Sequence, residues 1–77
     1  MLRRAVDSTT MRSVGYQAQD RVLEIEFDSG AVYQYLGVPA RIYEQLLRAE
    51  SKGRYFNSEI RESYPYIQVN RARAAGS

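Results

Sequence analysis

Leu23-Glu24-Ile25-Glu26-Phe27-Asp28-Ser29-Gly30-Ala31-Val32-Tyr33-Gln34-Tyr35 decides the fold, because it carries two runs of period two around a single turn signal. Leu23, Ile25 and Phe27 alternate with Glu24 and Glu26, which makes one face of a strand apolar and the other charged. Asp28-Ser29-Gly30 suits a three-residue hairpin loop with Gly30 in the left-handed region, a conformation a Cβ would resist. The register that follows sets Phe27 opposite Ala31, Ile25 opposite Tyr33 and Leu23 opposite Tyr35. Both tyrosines then join the aliphatic face, and that face needs a cover.

Toward the N-terminus, residues 11–19 contain Val14, Gly15 and Tyr16 and read as a strand interrupted by glycine. A turn at Gln19-Asp20 joins it to the central hairpin. Residues 1–10 mix charges with Ser and Thr and show no period, so they are expected to be a disordered lead. Toward the C-terminus, Val38-Pro39 opens a helix, since proline is pre-set for a first helical turn. Ile42, Tyr43, Leu46, Leu47 and Ala49 recur at spacings of three and four, which predicts an amphipathic helix over residues 39–50 covering the hairpin. Ser51-Lys52-Gly53 breaks this pattern: either Gly53 ends the first helix or Ser51 caps a second. Phe56 and Ile60 supply the inward face of that second helix, which Pro65 stops. Residues 66–69 alternate again and are a candidate fourth edge strand.

The expected fold is therefore α+β, a three-stranded antiparallel meander over residues 11–36 covered on one face by two helices. Its domain spans residues 11–69, between the lead at 1–10 and a flexible basic tail at 70–77. With 77 residues and no cysteine, the core is small and has no disulfide to reinforce it, which keeps a homodimer in view. The same lack of cysteine fits a cytoplasmic protein. No stretch reaches the roughly twenty apolar residues of a membrane helix, and the polar start lacks a secretory signal, so a soluble, unprocessed protein is expected.

The chain resembles the KTSC domain, a short module named for the C-terminus of some lysyl-tRNA synthetases and also found alone in small bacterial and phage proteins. The resemblance covers residues 11–66. It is carried by Leu23-Glu24-Ile25-Glu26-Phe27, Ser29-Gly30, Tyr33-Gln34-Tyr35, Val38-Pro39, Tyr43, Ala49-Glu50-Ser51-Lys52-Gly53, Tyr55-Phe56-Asn57 and Ile60-Arg61. It implies a small domain for which RNA binding has been suggested from the synthetase context and no activity is established. A synthetase core is absent from this chain, so the synthetase reaction does not carry over.

The composition argues against catalysis. Without His or Cys, neither an imidazole base nor a thiol nucleophile can be assembled, and transition-metal sites built on those ligands are excluded. Glu24, Glu26 and Asp28 share one strand face, but alternating charges on a strand are usually its solvated side. The isolated glycines make no phosphate loop. No enzyme activity, cofactor, metal site or small-molecule substrate is expected.

Binding remains. Residues 1–38 hold four basic and five acidic residues, whereas residues 39–77 hold seven and four, so the positive field lies on the helical half. Arg48, Lys52 and Arg54 straddle the helix break, Gly53 permits close backbone approach, Tyr55 stands beside them, and Asn57 with Arg61 is spaced as an i, i+4 pair. Arg48, Lys52, Arg54, Tyr55, Asn57 and Arg61 form the candidate nucleic-acid surface, for RNA or another single strand. Glu50, Glu59 and Glu62 are available to neutralise those cations in surface pairs. Seven tyrosines add stacking candidates. Tyr33 and Tyr35 are expected in the core, and Tyr55, Tyr64 and Tyr66 are freer. The rival reading is a protein partner or self-association through an exposed strand edge.

Overall fold

The computed structural model describes residues 2–70, so the tail expected over 71–77 lies outside the described residues. The central hairpin has the expected register: β3 (Val22–Phe27) pairs with β4 (Val32–Leu36) through Leu23 opposite Tyr35 and Ile25 opposite Tyr33. Its loop closes as predicted. Gly30 sits at φ 93°, its amide donates to the Phe27 carbonyl at 2.9 Å, and the Phe27 amide donates to Ala31 at 2.9 Å.

The sheet is wider than the meander read from the sequence. β2 (Met11–Gln17) pairs with β3 as expected, but two further strands extend the edges: β1 (Arg4–Ala5) beside β2 and β5 (Tyr66–Asn70) beside β4. All five strands are antiparallel neighbours in chain order. The candidate fourth strand is thus real and includes Asn70, which the sequence had assigned to the tail. The Asn70 side chain fixes the strand end, accepting from the Val32 amide and donating to the Gly30 carbonyl.

β1 corrects the expectation of a disordered lead, and the glycine that interrupts β2 explains how. A Cβ on Gly15 would lie 2.5 Å from the Leu2 carbonyl oxygen, so only glycine lets the N-terminal segment pass this close. There Arg3 Nη1 donates to Glu24 Oε2 at 3.0 Å, while Gln34 Nε2 donates to Glu24 Oε1 at 2.8 Å. Glu24 is only 8% exposed. Glu26 is half-buried and accepts from Ser13 Oγ at 2.9 Å. The face expected to be solvated is partly closed because its carboxylates have dedicated partners, as burial requires. Asp28 is exposed beside Arg12 at 3.8 Å.

On the other face lies the core: Met11 and Val14 from β2, Leu23 and Ile25 from β3, and Tyr35 from β4, beneath Ile42, Leu46, Phe56 and Ile60. α1 (Ala40–Arg48) starts at its N-cap Pro39 and stops two residues short of the expected Glu50. Tyr16 fastens it to the sheet, stacking on Tyr43 at 5.2 Å and donating to the Val38 carbonyl at 2.6 Å. α2 (Lys52–Glu59) is capped by Ser51, whose Oγ accepts from the Arg54 amide at 3.2 Å. This settles the two readings of the break in favour of the serine cap. Gly53 lies in the first turn of α2, where a Cβ would meet Thr10 Oγ1 at 2.8 Å. No helix among the described residues is long and apolar enough to cross a membrane.

Candidate functional site

The two helices leave the β4–β5 side of the inner face open. Tyr35 and Tyr66 are register partners and therefore point to the same side, and Tyr33 follows two residues before Tyr35 on that side. Their rings form a set, with centroids 5.3 Å apart for Tyr33 and Tyr66, 5.5 Å for Tyr35 and Tyr66, and 6.4 Å for Tyr33 and Tyr35. Phe27 meets Tyr33 edge-on at 5.6 Å, and Phe56 of α2 meets Tyr35 edge-on at 5.4 Å. All these spacings are favourable for aromatic pairs. Between them opens a cleft of about 550 Å³, bordered by Arg61 and Glu62 just past the end of α2. Its size falls in the range of ligand sites, about 300 to 1,000 Å³.

The chemistry of this cleft is graded from dry to wet. Tyr35 is 3% exposed, and burial pushes its phenol up to about 12, with Tyr33 and Tyr66 adding to the rise and Arg61 opposing it. Tyr66 is 54% exposed at the outer wall. The cleft thus presents a buried aromatic floor, one exposed ring packed against it, and one charge of each sign.

The six residues singled out from sequence divide between two places. Arg48, Lys52, Arg54, Tyr55 and Asn57 lie along the α1–α2 junction, whereas Arg61 borders the tyrosine cleft. The expected Asn57–Arg61 pair does not form, because α2 ends at Glu59 and Arg61 lies beyond its cap, Ile60. Lys52 Nζ donates to the Ala49 carbonyl at 3.2 Å, answering an open carbonyl at the end of α1. Tyr55 donates from its hydroxyl to Gln45 Oε1 at 2.6 Å, and burial raises its pKa. Arg48, Arg54 and Asn57 are exposed. The close approach that Gly53 permits is taken up by Thr10, whose Oγ1 lies 2.8 Å from where a Cβ would stand. The neutralising pairs open to Glu50, Glu59 and Glu62 are not made: the ion pairs among the described residues are Arg3–Glu24 and Arg12–Asp28.

Of the three freer tyrosines, Tyr55 is tied to Gln45, Tyr64 packs against the core, and Tyr66 is exposed. Sequence alone offers Glu62 as a neutralising surface partner and Tyr33 as a core residue favoured over a stacking ring; the structure sets both on the cleft. The signal for the cleft was the Tyr66 alternation, which places a third tyrosine beside Tyr35 once β5 is paired with β4.

Comparison with known proteins defines the class. The KTSC domain model matches residues 7–64, and the chain belongs to that family. An uncharacterised protein of Stutzerimonas stutzeri is 41% identical over 71 residues, covering 91% of this chain and the whole of that protein. A lysine–tRNA ligase of Nostoc punctiforme is 36% identical over 64 residues, covering 83% of this chain but only 11% of the ligase. The crystal structure of a KTSC domain protein from Yersinia pestis superposes with a TM-score of 0.87 at 38% identity, covering 90% of this chain and 97% of that one.

Proposed function

We propose that the domain is a non-catalytic, cytoplasmic binding module for single-stranded nucleic acid, RNA foremost. The observation that carries this reading is the open tyrosine cleft beside Arg61, since exposed rings on a sheet next to cations are how unpaired bases are stacked and held. Arg48 and Arg54, exposed and in no ion pair among the described residues, supply phosphate contacts along the helix junction together with Lys52. A related segment within a lysine–tRNA ligase fits an RNA-associated role.

Binding of labelled mixed-sequence RNA and DNA single strands, followed by fluorescence anisotropy across a salt series, tests it. Lys52→Ala and Arg54→Ala each reduce the slope of log affinity against log salt by about 0.7 in magnitude. Tyr66→Ala removes a stacking contribution of about 1 to 3 kcal/mol and leaves that slope nearly unchanged. If the folded wild type binds neither strand at low salt, where the electrostatic contribution is greatest, the reading is refuted. A second reading, a protein partner or self-association, is favoured by the edge strand β5, which exposes Ile67 at 50% and Val69 at 45%. Salt-insensitive self-association in analytical ultracentrifugation is its signature.

A further inference from the structure

We infer that the tyrosine cleft is a guanine site, in which Glu62 reads the base's Watson–Crick edge and Arg61 its O6 and N7. This deepens the nucleic-acid reading and rests on it. Glu62 and Arg61 are consecutive residues on one wall, and neither takes part in an ion pair among the described residues. Each is chemically one-sided. An ionised carboxylate only accepts hydrogen bonds, with two oxygens side by side, and a guanidinium only donates, in a planar fork.

The base edges sort against this pair. Guanine alone presents two adjacent donors, N1–H and the N2 amino group, and next to them two acceptors, O6 and N7. Adenine presents a donor beside an acceptor on the pairing edge, cytosine a donor beside two acceptors, and uracil one donor between two acceptors, so in each case one carboxylate oxygen would face another acceptor. A carboxylate unmatched in this way loses water without replacing it, which is the stronger source of discrimination. The aromatic walls supply affinity for any base, because every base has a π-face. Tyr66 stands open to stack on the incoming ring, while Tyr33, Phe27 and Phe56 hold the floor in place. Wall and floor therefore divide the work: the tyrosines bind, and the Arg61-Glu62 pair chooses.

The test titrates GMP, AMP, CMP and UMP separately into the full chain, following tyrosine ring resonances by NMR, with Glu62→Gln and Tyr66→Ala as variants. Glu62 is exposed and makes no hydrogen bond among the described residues, so its amide variant keeps the fold, which the unchanged amide spectrum verifies. GMP is expected to bind about tenfold to a hundredfold more tightly than the other three, the discrimination a bidentate pair gives. Glu62→Gln removes most of that preference, and Tyr66→Ala weakens all four nucleotides together. Equal affinity for the four nucleotides, failure of GMP to bind, or a preference for GMP that survives Glu62→Gln overturns the inference. Mixed single strands tested alongside separate the two claims. If they bind in a salt-dependent manner while the base preference is missing, the guanine site fails and the nucleic-acid reading stands. If GMP binds selectively while no strand does, the cleft assignment stands and the polymer reading fails.

Discussion

Gly15→Ala tests how the N-terminal strand is held. The new Cβ would stand 2.5 Å from the Leu2 carbonyl oxygen and 2.9 Å from Arg3 Cγ, against an ordinary contact of roughly 3.5 Å or more, so the crossing segment must withdraw by about 1 Å. That movement breaks the Arg3–Glu24 bond, now 3.0 Å, and strains the short β1 ladder of Arg4 with Val14 and Ala5 with Ser13. Losing a hydrogen bond to a buried charge costs about 1.5 to 3 kcal/mol. Replacing glycine by alanine returns about 0.4 to 1 kcal/mol by restricting the unfolded chain. The net loss is about 0.5 to 2.6 kcal/mol, a thermal midpoint lower by roughly 2 to 20 °C for a domain of this size. Urea denaturation of four proteins measures it: wild type and Gly15→Ala, each with and without residues 1–5. In the shortened chain nothing opposes the methyl group, so the substitution becomes neutral or stabilising. An equal loss in both backgrounds would refute the crossing-point argument.

Leu46→Ala, at a fully buried position on α1, lowers stability by about 2 to 5 kcal/mol in chemical denaturation, whereas Glu44→Ala on the exposed side of the same helix changes little. In an alkaline titration followed by phenolate absorbance, one tyrosine ionises only near pH 12, and Tyr35→Phe abolishes that last step. Because the folded-state pKa of Tyr35 lies above the ordinary 10.0, its contribution to stability is complete below pH 10 and is lost as the pH rises toward 12. Gly53→Ala destabilises the wild type, since its Cβ meets Thr10 Oγ1, but in a Thr10→Ala background it gains helix propensity and stabilises by up to about 1 kcal/mol; a loss of equal size in both backgrounds contradicts this.

The parts of the fold legible in the sequence were those specified locally. Leu23, Ile25 and Phe27 alternate within one strand, Gly30 marks its turn within three residues, and register follows from parity alone. Ile42 and Leu46 likewise declare their helix face within a single turn. The N-terminal strand could not be read in this way: two residues have no period, and the bond that holds them joins Arg3 to Glu24 across 21 positions. Gly15 looked like a weakness in a strand because the chain that crosses it comes from elsewhere. The candidate site divided for a similar reason. The cations of residues 48–61 were visible as a list, but their grouping depends on where α2 ends, and two residues past Glu59 turn Arg61 from a partner of Asn57 into a wall of the tyrosine cleft.

That cleft is the consequence of a mismatch between the sheet and its cover. α1 and α2 bury Val14, Leu23, Ile25 and Tyr35, which belong to β2, β3 and β4, while Tyr66 on the neighbouring β5 remains half in solvent. A surface chosen only for stability would end the apolar face where the helices end, because an uncovered apolar patch invites association without strengthening the fold. Instead the aromatic set continues outward from Tyr35 to Tyr33 and Tyr66, in the residue type whose hydroxyl tolerates water while its ring stays available for contact. The two sides of such a platform also differ in rigidity. Phe27 and Phe56 brace Tyr33 and Tyr35 edge-on from the core, so a ligand held there would cost little ordering of those two rings, whereas the exposed Tyr66, Arg61 and Glu62 have side-chain freedom to lose. A buried aromatic floor with one exposed ring at its rim, beside a charge of each sign that makes no ion pair among the described residues, is an arrangement that folding alone does not require, and the proposed recognition at Arg61, Glu62 and Tyr66 rests on it.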